Sequence, residues 1–246
     1  MRDNIGKGLT HGLEVGDIIS RLRTLADPEA VKGMESFGIN PENTLGVSMP
    51  AVRRLARDIG RDHRLALALW DTGVHEARIL AGLIDIPASV TEEQMDGWVQ
   101  DFDSWDVCDQ VVMNLFDRTP FAYEKALEWS RREEEFVKRA GFALMASLAV
   151  HDKKAADEKF LRFLPAIHKA SGDDRNFVRK AVNWALRQIG KRSLVLHGPA
   201  VQAAREIAAT GTKSGRWIAA DALQELESPA VESRLRKKPN RRSTKT

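Results

Sequence analysis

The sequence has little of the chemistry that disulfides, metals or membrane spans require. Its 246 residues include a single cysteine, Cys108, so no disulfide can form within the chain. One thiol is typical of a reducing compartment, and we predict a cytoplasmic protein in which Cys108 packs as a small apolar residue. No apolar run approaches the ~20 residues of a membrane span, and none follows Arg2 and Lys7 as it would in a secretory signal. We therefore expect no association with a membrane.

The sequence also lacks the short motifs of several enzyme classes. It has no Gly-rich phosphate loop, and His75-Glu76 is not followed by a second histidine at the spacing of a metalloprotease. The six histidines are scattered, and with one cysteine they match no pattern of zinc ligands. These absences predict a protein that uses neither a metal nor an organic cofactor.

Residues that favour helices are abundant. Ala, Leu, Arg, Glu and Lys dominate, and no stretch alternates apolar and polar residues over the length of a strand. Helix starts are marked by Ser48, two residues before a proline, and by Thr91 with Gln94 three residues on, the pattern of a capping box. One longer helix is predicted over 153–170. The predicted fold class is therefore all-α.

Two segments of the chain are similar at an offset of 41 residues. The segment that begins at Phe136 (FVKRAGFALM) matches the one that begins at Phe177 (FVRKAVNWAL), and a weaker third copy begins at Gly215 (GRWIAADAL). A period of about 40–47 residues per helical pair is the signature of HEAT-like repeats. We therefore predict a curved solenoid of antiparallel HEAT-like helical pairs, with an irregular helical bundle as the alternative.

Composition divides the chain into three parts. Residues 1–12 are predicted to be a partly flexible N-terminal segment, residues 13–227 the repeat domain, and residues 228–246 a disordered basic tail. From residue 234 on, the tail has no acid and seven bases, namely Arg234, Arg236, Lys237, Lys238, Arg241, Arg242 and Lys245. The whole chain has a net charge of +3, so without these seven positive charges residues 1–233 have a net charge of −4. A polyanion would therefore have to bind at local basic patches.

Two such patches lie on predicted helices. A solvated helix face is the simplest explanation of each, and a surface that binds phosphates is the alternative. The candidate phosphate-binding residues are Arg53, Arg54 and Arg57 in the first patch, and Arg179, Lys180, Arg187 and Lys191 in the second.

Four further residues occupy unusual positions. Trp105 and Asp109 are four residues apart on a predicted helix, so they share a face, and a carboxylate beside an indole is uncommon in a core. Arg139 lies at the margin of an apolar stripe, where a long side chain can reach solvent. Trp184 stands where the preceding copy has Ala143, either to fill the core or as an exposed aromatic platform. For Trp105, the simplest explanation is that the indole packs at the seam between two repeats.

At these residues the sequence resembles the AlkD-type DNA alkylation repair proteins. The resemblance extends from about residue 13 to about residue 226. The active site of that family uses a tryptophan, an aspartate, an arginine and a second tryptophan, and the matching positions are Trp105, Asp109, Arg139 and Trp184. The segments that carry the resemblance are Trp105-Asp106-x-x-Asp109, Lys138-Arg139-Ala140, Asn183-Trp184-Ala185-Leu186-Arg187, His75-Glu76-Ala77-Arg78 and Leu45-Gly46-Val47-Ser48-Met49-Pro50.

The resemblance implies a DNA glycosylase that hydrolyses the N-glycosidic bond of purines alkylated at N3 or N7, in duplex DNA and without a cofactor. It assigns Asp109 to stabilise positive charge on the deoxyribose, and Trp105 and Trp184 to add cation–π stabilisation. Arg139 would grip a flanking phosphate, while the two basic patches hold the remaining DNA backbone along a concave face. We expect a cytoplasmic monomer that joins the bacterial nucleoid when bound to DNA. The alternatives are a non-catalytic DNA-binding repeat protein and a protein-interaction scaffold.

Overall fold

The computed structural model describes residues 14–237, which form two compact units, 14–89 and 90–237. The described residues contain fifteen α-helices and no β-strand, so the prediction of an all-α fold is confirmed. No helix in this part of the chain is long and apolar enough to cross a membrane. The predicted N-terminal segment, 1–12, lies outside the described residues, and the predicted extent of the repeat domain, 13–227, stays a prediction.

The first unit contains five helices and a closing 3-10 turn. Helix α3 begins directly after Ser48, as predicted, with a proline in its first turn. Helix α5 packs against both α3 and α4, so it lies at the centre of the unit. The helices are α1 (Val15–Thr24), α2 (Pro28–Ser36), α3 (Met49–Ile59), α4 (His63–Trp70) and α5 (His75–Ile84), and the turn is Pro87–Ser89.

A buried carboxylate fixes the chain where it enters α3. Glu76 on α5 is 1% exposed, and its two oxygens accept the backbone N–H groups of Leu45, Gly46 and Val47 at 2.7–3.2 Å. Gly46 has a φ of 79°, and a Cβ atom there would lie 2.2 Å from the carbonyl oxygen of Asp27. Glu76 therefore joins two segments that the sequence places about thirty residues apart.

Replacing Glu76 with glutamine is expected to lower the free energy of unfolding by about 2–3 kcal/mol, because hydrogen bonds to a buried charge are lost and an NH₂ group then faces N–H donors. Urea denaturation followed by circular dichroism measures the change. The matched control is Glu35→Gln, an exposed glutamate of the same unit, which should stay within about 0.5 kcal/mol of wild type. Equal effects of the two substitutions would contradict this interpretation of Glu76.

The second unit contains ten helices and one 3-10 turn. Thr91 accepts the N–H of Gln94 at 3.1 Å and caps the first of these helices, which is the N-cap half of the predicted capping box. The helices are α6 (Glu92–Gln100), α7 (Trp105–Asn114), α8 (Ala122–Trp129), α9 (Glu135–His151), α10 (Glu158–Leu161), α11 (Leu164–Ala170), α12 (Asn176–Gly190), α13 (Leu194–Ala209), α14 (Lys213–Leu226) and α15 (Pro229–Lys237), and the turn is Phe116–Arg118.

Consecutive helices of this unit form stacked pairs. Helix α8 packs on α9, α11 on α12, and α13 on α14, while α9 contacts α7 and α12, and α12 contacts α14. We call this series of neighbours the α7–α9–α12–α14 row. The rings of Phe136 and Phe177, which the 41-residue offset makes equivalent, stack across α9 and α12 with centroids 5.5 Å apart. The prediction of HEAT-like helical pairs is confirmed.

Two local predictions differ from the structure. The helix predicted over 153–170 is divided into α10 and α11, because Pro165 cannot donate to Leu161, the residue at which α10 ends. The tail predicted to be disordered from residue 228 instead contains α15, which packs on α14 and buries Val231 and Leu235. These two apolar residues are four apart and share one face, so α15 has an apolar face that packs on α14. The rest of the predicted tail, 238–246, lies outside the described residues.

Candidate functional site

Asp109 and Arg139 form a buried ion pair between α7 and α9. Nε of Arg139 donates to Oδ1 of Asp109 at 3.0 Å, and Nη2 donates to Oδ2 at 2.7 Å. Asp109 is 9% exposed and Arg139 is 6% exposed. A bidentate pair of this kind fixes the orientation of both groups, because the planar guanidinium matches the two carboxylate oxygens. The structure thus brings together two residues that the sequence separates by 30 positions.

The guanidinium of Arg139 is also held from two other sides. Its Nη1 donates to the backbone carbonyl of Phe177, on α12, at 2.8 Å. The centre of the group lies 5.9 Å from the centroid of the Trp105 ring, on α7. Three of the five N–H groups of the arginine are therefore committed to protein acceptors. Arg139 is therefore held where it orients Asp109. That it also binds a flanking phosphate stays a prediction.

The electrostatics of the pair reflect its burial. Burial raises the pKa of the Asp109 carboxyl, while the adjacent Arg139 guanidinium opposes that change. Arg139 stays charged: burial alone would lower its pKa, but Asp109, together with the neighbouring Cys108 and Asp106, outweighs burial and raises the pKa. Each Asp109 oxygen accepts one hydrogen bond from Arg139, and a carboxylate has about four acceptor positions in all. The remaining lone pairs can act on a bound group, since 13% of the Asp109 side chain is exposed.

The two tryptophans of the predicted site lie on α7 and α12. Trp105 is the first residue of α7 and is half-buried, one turn before Asp109, so the predicted shared face is confirmed by their common contact with Arg139. Trp184 is half-buried on α12, seven residues after Phe177. Its indole Nε1 donates to the amide oxygen of Gln188 at 3.2 Å, in the orientation of that amide in which the oxygen faces the indole. Trp184 therefore lies on the α7–α9–α12–α14 row, and its part in one site with the other three stays a prediction.

The predicted phosphate-binding residues differ in how they are paired. Arg53, Arg54 and Arg57 are exposed on α3 in the first unit, and no acid of the described residues forms an ion pair with them. Lys180 is also exposed. Arg187 and Lys191, by contrast, both bind Glu225 of α14, at 2.8 and 2.5 Å. The acids of α14 thus neutralise half of the second patch.

Other features at the site were not predicted from sequence. The carbonyl of Phe177 is a backbone group, and no sequence pattern marks a carbonyl as the acceptor for a particular arginine. Trp217 contacts Arg179, one of the predicted phosphate-binding residues. In the sequence, Trp217 is marked only as an aromatic residue of the weak third copy. Cys108 is fully buried, and burial raises the pKa of its thiol, so its predicted role as a packing residue is confirmed. Within residues 14–237, no cluster of His, Cys, Asp or Glu could hold a metal ion.

Known proteins provide two similarities. A family model described as DNA alkylation repair enzyme matches residues 18–226. One similar solved structure, with a TM-score of 0.71 and 23% sequence identity, covers 79% of this chain and 83% of its own. It is described as "a new family of proteins related to the HEAT-like repeat DNA glycosylases with affinity for branched DNA structures". At that identity the likeness shows the fold alone. No curated protein matches the chain significantly.

Proposed function

The chain belongs to the DNA alkylation repair enzyme family, and on that premise we propose that it is a DNA glycosylase that removes N3- or N7-alkylated purines from duplex DNA. The observation that carries the proposal is the Asp109 carboxylate, held in a fixed orientation by Arg139 beside the Trp105 ring. A carboxylate and an aromatic face are the groups expected to stabilise a developing cation.

The chemistry of the lesion suits this site. Alkylation at N3 or N7 makes the purine cationic, so its bond to C1′ breaks with the electron pair going to the base, and no general acid is needed. The deoxyribose then carries positive charge, which Asp109 stabilises electrostatically. Water adds to C1′ and loses its proton, and a carboxylate of raised pKa is a suitable acceptor. In this scheme Arg139 is a positioning residue, because its N–H groups hold Asp109 in place.

One observation favours a second candidate, a DNA-binding protein without catalysis. Arg139 donates to both oxygens of Asp109 within the protein, which would reduce the field that the carboxylate exerts on a substrate. The similar solved protein is itself described by its affinity for branched DNA. In this second function, Trp105 and Arg139 would serve only to dock the DNA backbone.

The two candidates are distinguished by measuring binding and base release together. Duplex DNA treated with a methylating agent is incubated with the full chain, free 7-methylguanine is measured by mass spectrometry, and duplex binding is measured by fluorescence anisotropy. A glycosylase releases the base faster than spontaneous depurination does. Binding without release would select the second candidate, and absence of binding at low salt would remove both.

The salt dependence of duplex binding should distinguish the exposed arginines from the paired ones. Replacing Arg53 and Arg57, four residues apart on α3, with glutamine is expected to reduce the slope of log K against log salt by about 2. The matched control replaces Arg187 and Lys191, also four apart, and should reduce the slope by less than 1, because Asp221 and Glu225 of α14 already neutralise the two residues. The reverse order of effects would contradict this assignment of the DNA contacts.

A further inference from the structure

Helices α12 and α14 are joined by matched contacts at an offset of 38 residues. Asn183 donates to Asp221 at 2.6 Å, and Arg187 donates to Glu225 at 2.8 Å. One turn earlier on both helices, the corresponding contact is between Arg179 and Trp217, with the guanidinium 4.6 Å from the ring centroid. The contact between Arg179 and Trp217 therefore differs in kind from the other two, because no acid among the described residues pairs with this arginine.

The donors of Arg179 are little used within the protein. Within residues 14–237, its side chain makes one hydrogen bond, to the Oδ1 of Asn176 at 3.3 Å, and its Nε is buried without an acceptor. Asp173 is the partly buried acid closest in sequence to the start of α12. It already forms ion pairs with Lys138 and Arg175. The contact with Trp217 thus restrains the guanidinium, and the N–H groups of its two terminal nitrogens that make no hydrogen bond in the described residues remain available to an anion.

Trp217 is an exposed aromatic on a rigid support. The residue is 38% exposed, which is unusual for so large an apolar side chain. The start of α14 is fixed in place, because Thr212 caps it by accepting the N–H of Gly215 at 3.0 Å and Ser214 donates to the carbonyl of Asp173 at 2.8 Å. An indole held in this way loses little conformational entropy when a flat ligand covers it.

We propose that Trp217 and Arg179 form a binding site for an unpaired nucleotide, with the base stacked on the indole and its phosphate bound by the guanidinium. The inference rests on the proposed function in so far as it takes DNA as the ligand. Within a duplex, each base face is covered by the next base pair, so only an unpaired or terminal base can present a free face to an aromatic ring. The site therefore favours DNA with an unpaired or terminal base over the interior of a duplex, independently of any lesion.

The test compares three DNAs at one fixed salt concentration by fluorescence anisotropy: a blunt hairpin, the same hairpin with a short single-stranded overhang, and that overhang built from abasic nucleotides. The abasic overhang keeps the phosphates and lacks the bases. Wild type should bind the normal overhang about 5- to 100-fold more tightly than the abasic one. Trp217→Ala should abolish that preference, and Trp217→Phe should retain most of it.

Two controls keep the result interpretable. Phe37→Ala removes another exposed aromatic, in the first unit, and should leave the preference unchanged, while thermal unfolding checks that the Trp217 variants are folded. Arg179→Gln should weaken binding to the normal and the abasic overhang by a similar factor, because both carry phosphates. Equal binding of the two overhangs by wild type, or a preference that survives in Trp217→Ala, would overturn the inference. Failure of wild type to bind the blunt hairpin at low salt would instead count against the proposed function.

Discussion

Replacing Asp109 with asparagine is expected to slow the release of an alkylated purine by about 100- to 1,000-fold, the usual effect of removing one group that stabilises charge in a transition state. The substitution keeps the size of the side chain and removes the negative charge that, in the proposed mechanism, stabilises the sugar cation. Affinity for the duplex should not fall, since the carboxylate attracts no phosphate. Single-turnover kinetics with the enzyme in excess measure the rate without a contribution from product release.

The chain contains a matched control for this variant. Asp157 pairs with Arg192 at 3.3 Å, and their side chains are 10% and 2% exposed, so this ion pair is about as buried as that of Asp109 and Arg139. Asp157→Asn should therefore cost comparable stability and leave the excision rate unchanged. If both variants lost activity to the same extent, the loss would reflect stability and Asp109 would have no special role.

Removing Arg139 is expected to produce the largest loss of stability. Arg139→Met leaves the buried Asp109 carboxylate without its cation, which typically costs about 3–5 kcal/mol. Adding Asp109→Asn to this variant should recover part of the loss, because a neutral amide is less costly to bury than an unpaired charge. Urea denaturation of the two single variants and the double variant gives the coupling energy directly.

The pH dependence of the Arg139→Met variant provides a second test. Burial raises the pKa of Asp109 in the folded protein and Arg139 opposes that change, so loss of the arginine should raise the pKa further. A carboxyl with a raised folded pKa destabilises the protein above that pKa, and this penalty disappears as the pH falls and the group is protonated. The stability difference between wild type and Arg139→Met should therefore shrink toward acidic pH. A difference that is constant or grows would mean that Asp109 is not the group left unpaired.

Much of the fold could be predicted because its signals are local or periodic. The 41-residue offset predicted that Phe136 and Phe177 are equivalent, and their rings stack in the structure. The spacing of Trp105 and Asp109 predicted a shared face because helix geometry depends only on residue number. The break between α10 and α11 follows from Pro165, whose effect is hidden in the sequence by the helix-forming residues on both sides of it.

The pairings within the site could not be predicted, because they depend on which helices become neighbours. Nothing in the sequence near Arg139 indicates that Asp109 is its partner; the pairing follows from the packing of α7 on α9. For the same reason, the sequence predicts that Arg187 and Lys191 are available to bind phosphate, whereas in the structure Glu225 of α14 pairs with both. A pattern of charges in sequence therefore predicts a phosphate-binding surface only where tertiary structure supplies no acid.

The most direct test of the proposed chemistry is the single-turnover release of two purine lesions by the wild-type protein. Duplexes that contain either 7-methylguanine, which is cationic, or hypoxanthine, which is neutral, are compared with the same duplexes without protein. A site that stabilises the sugar cation through Asp109 and has no general acid should release 7-methylguanine well above the spontaneous rate and leave hypoxanthine at that rate. Release of neither base above the spontaneous rate, by a protein that binds both duplexes, would contradict the assignment of Asp109 as a catalytic residue.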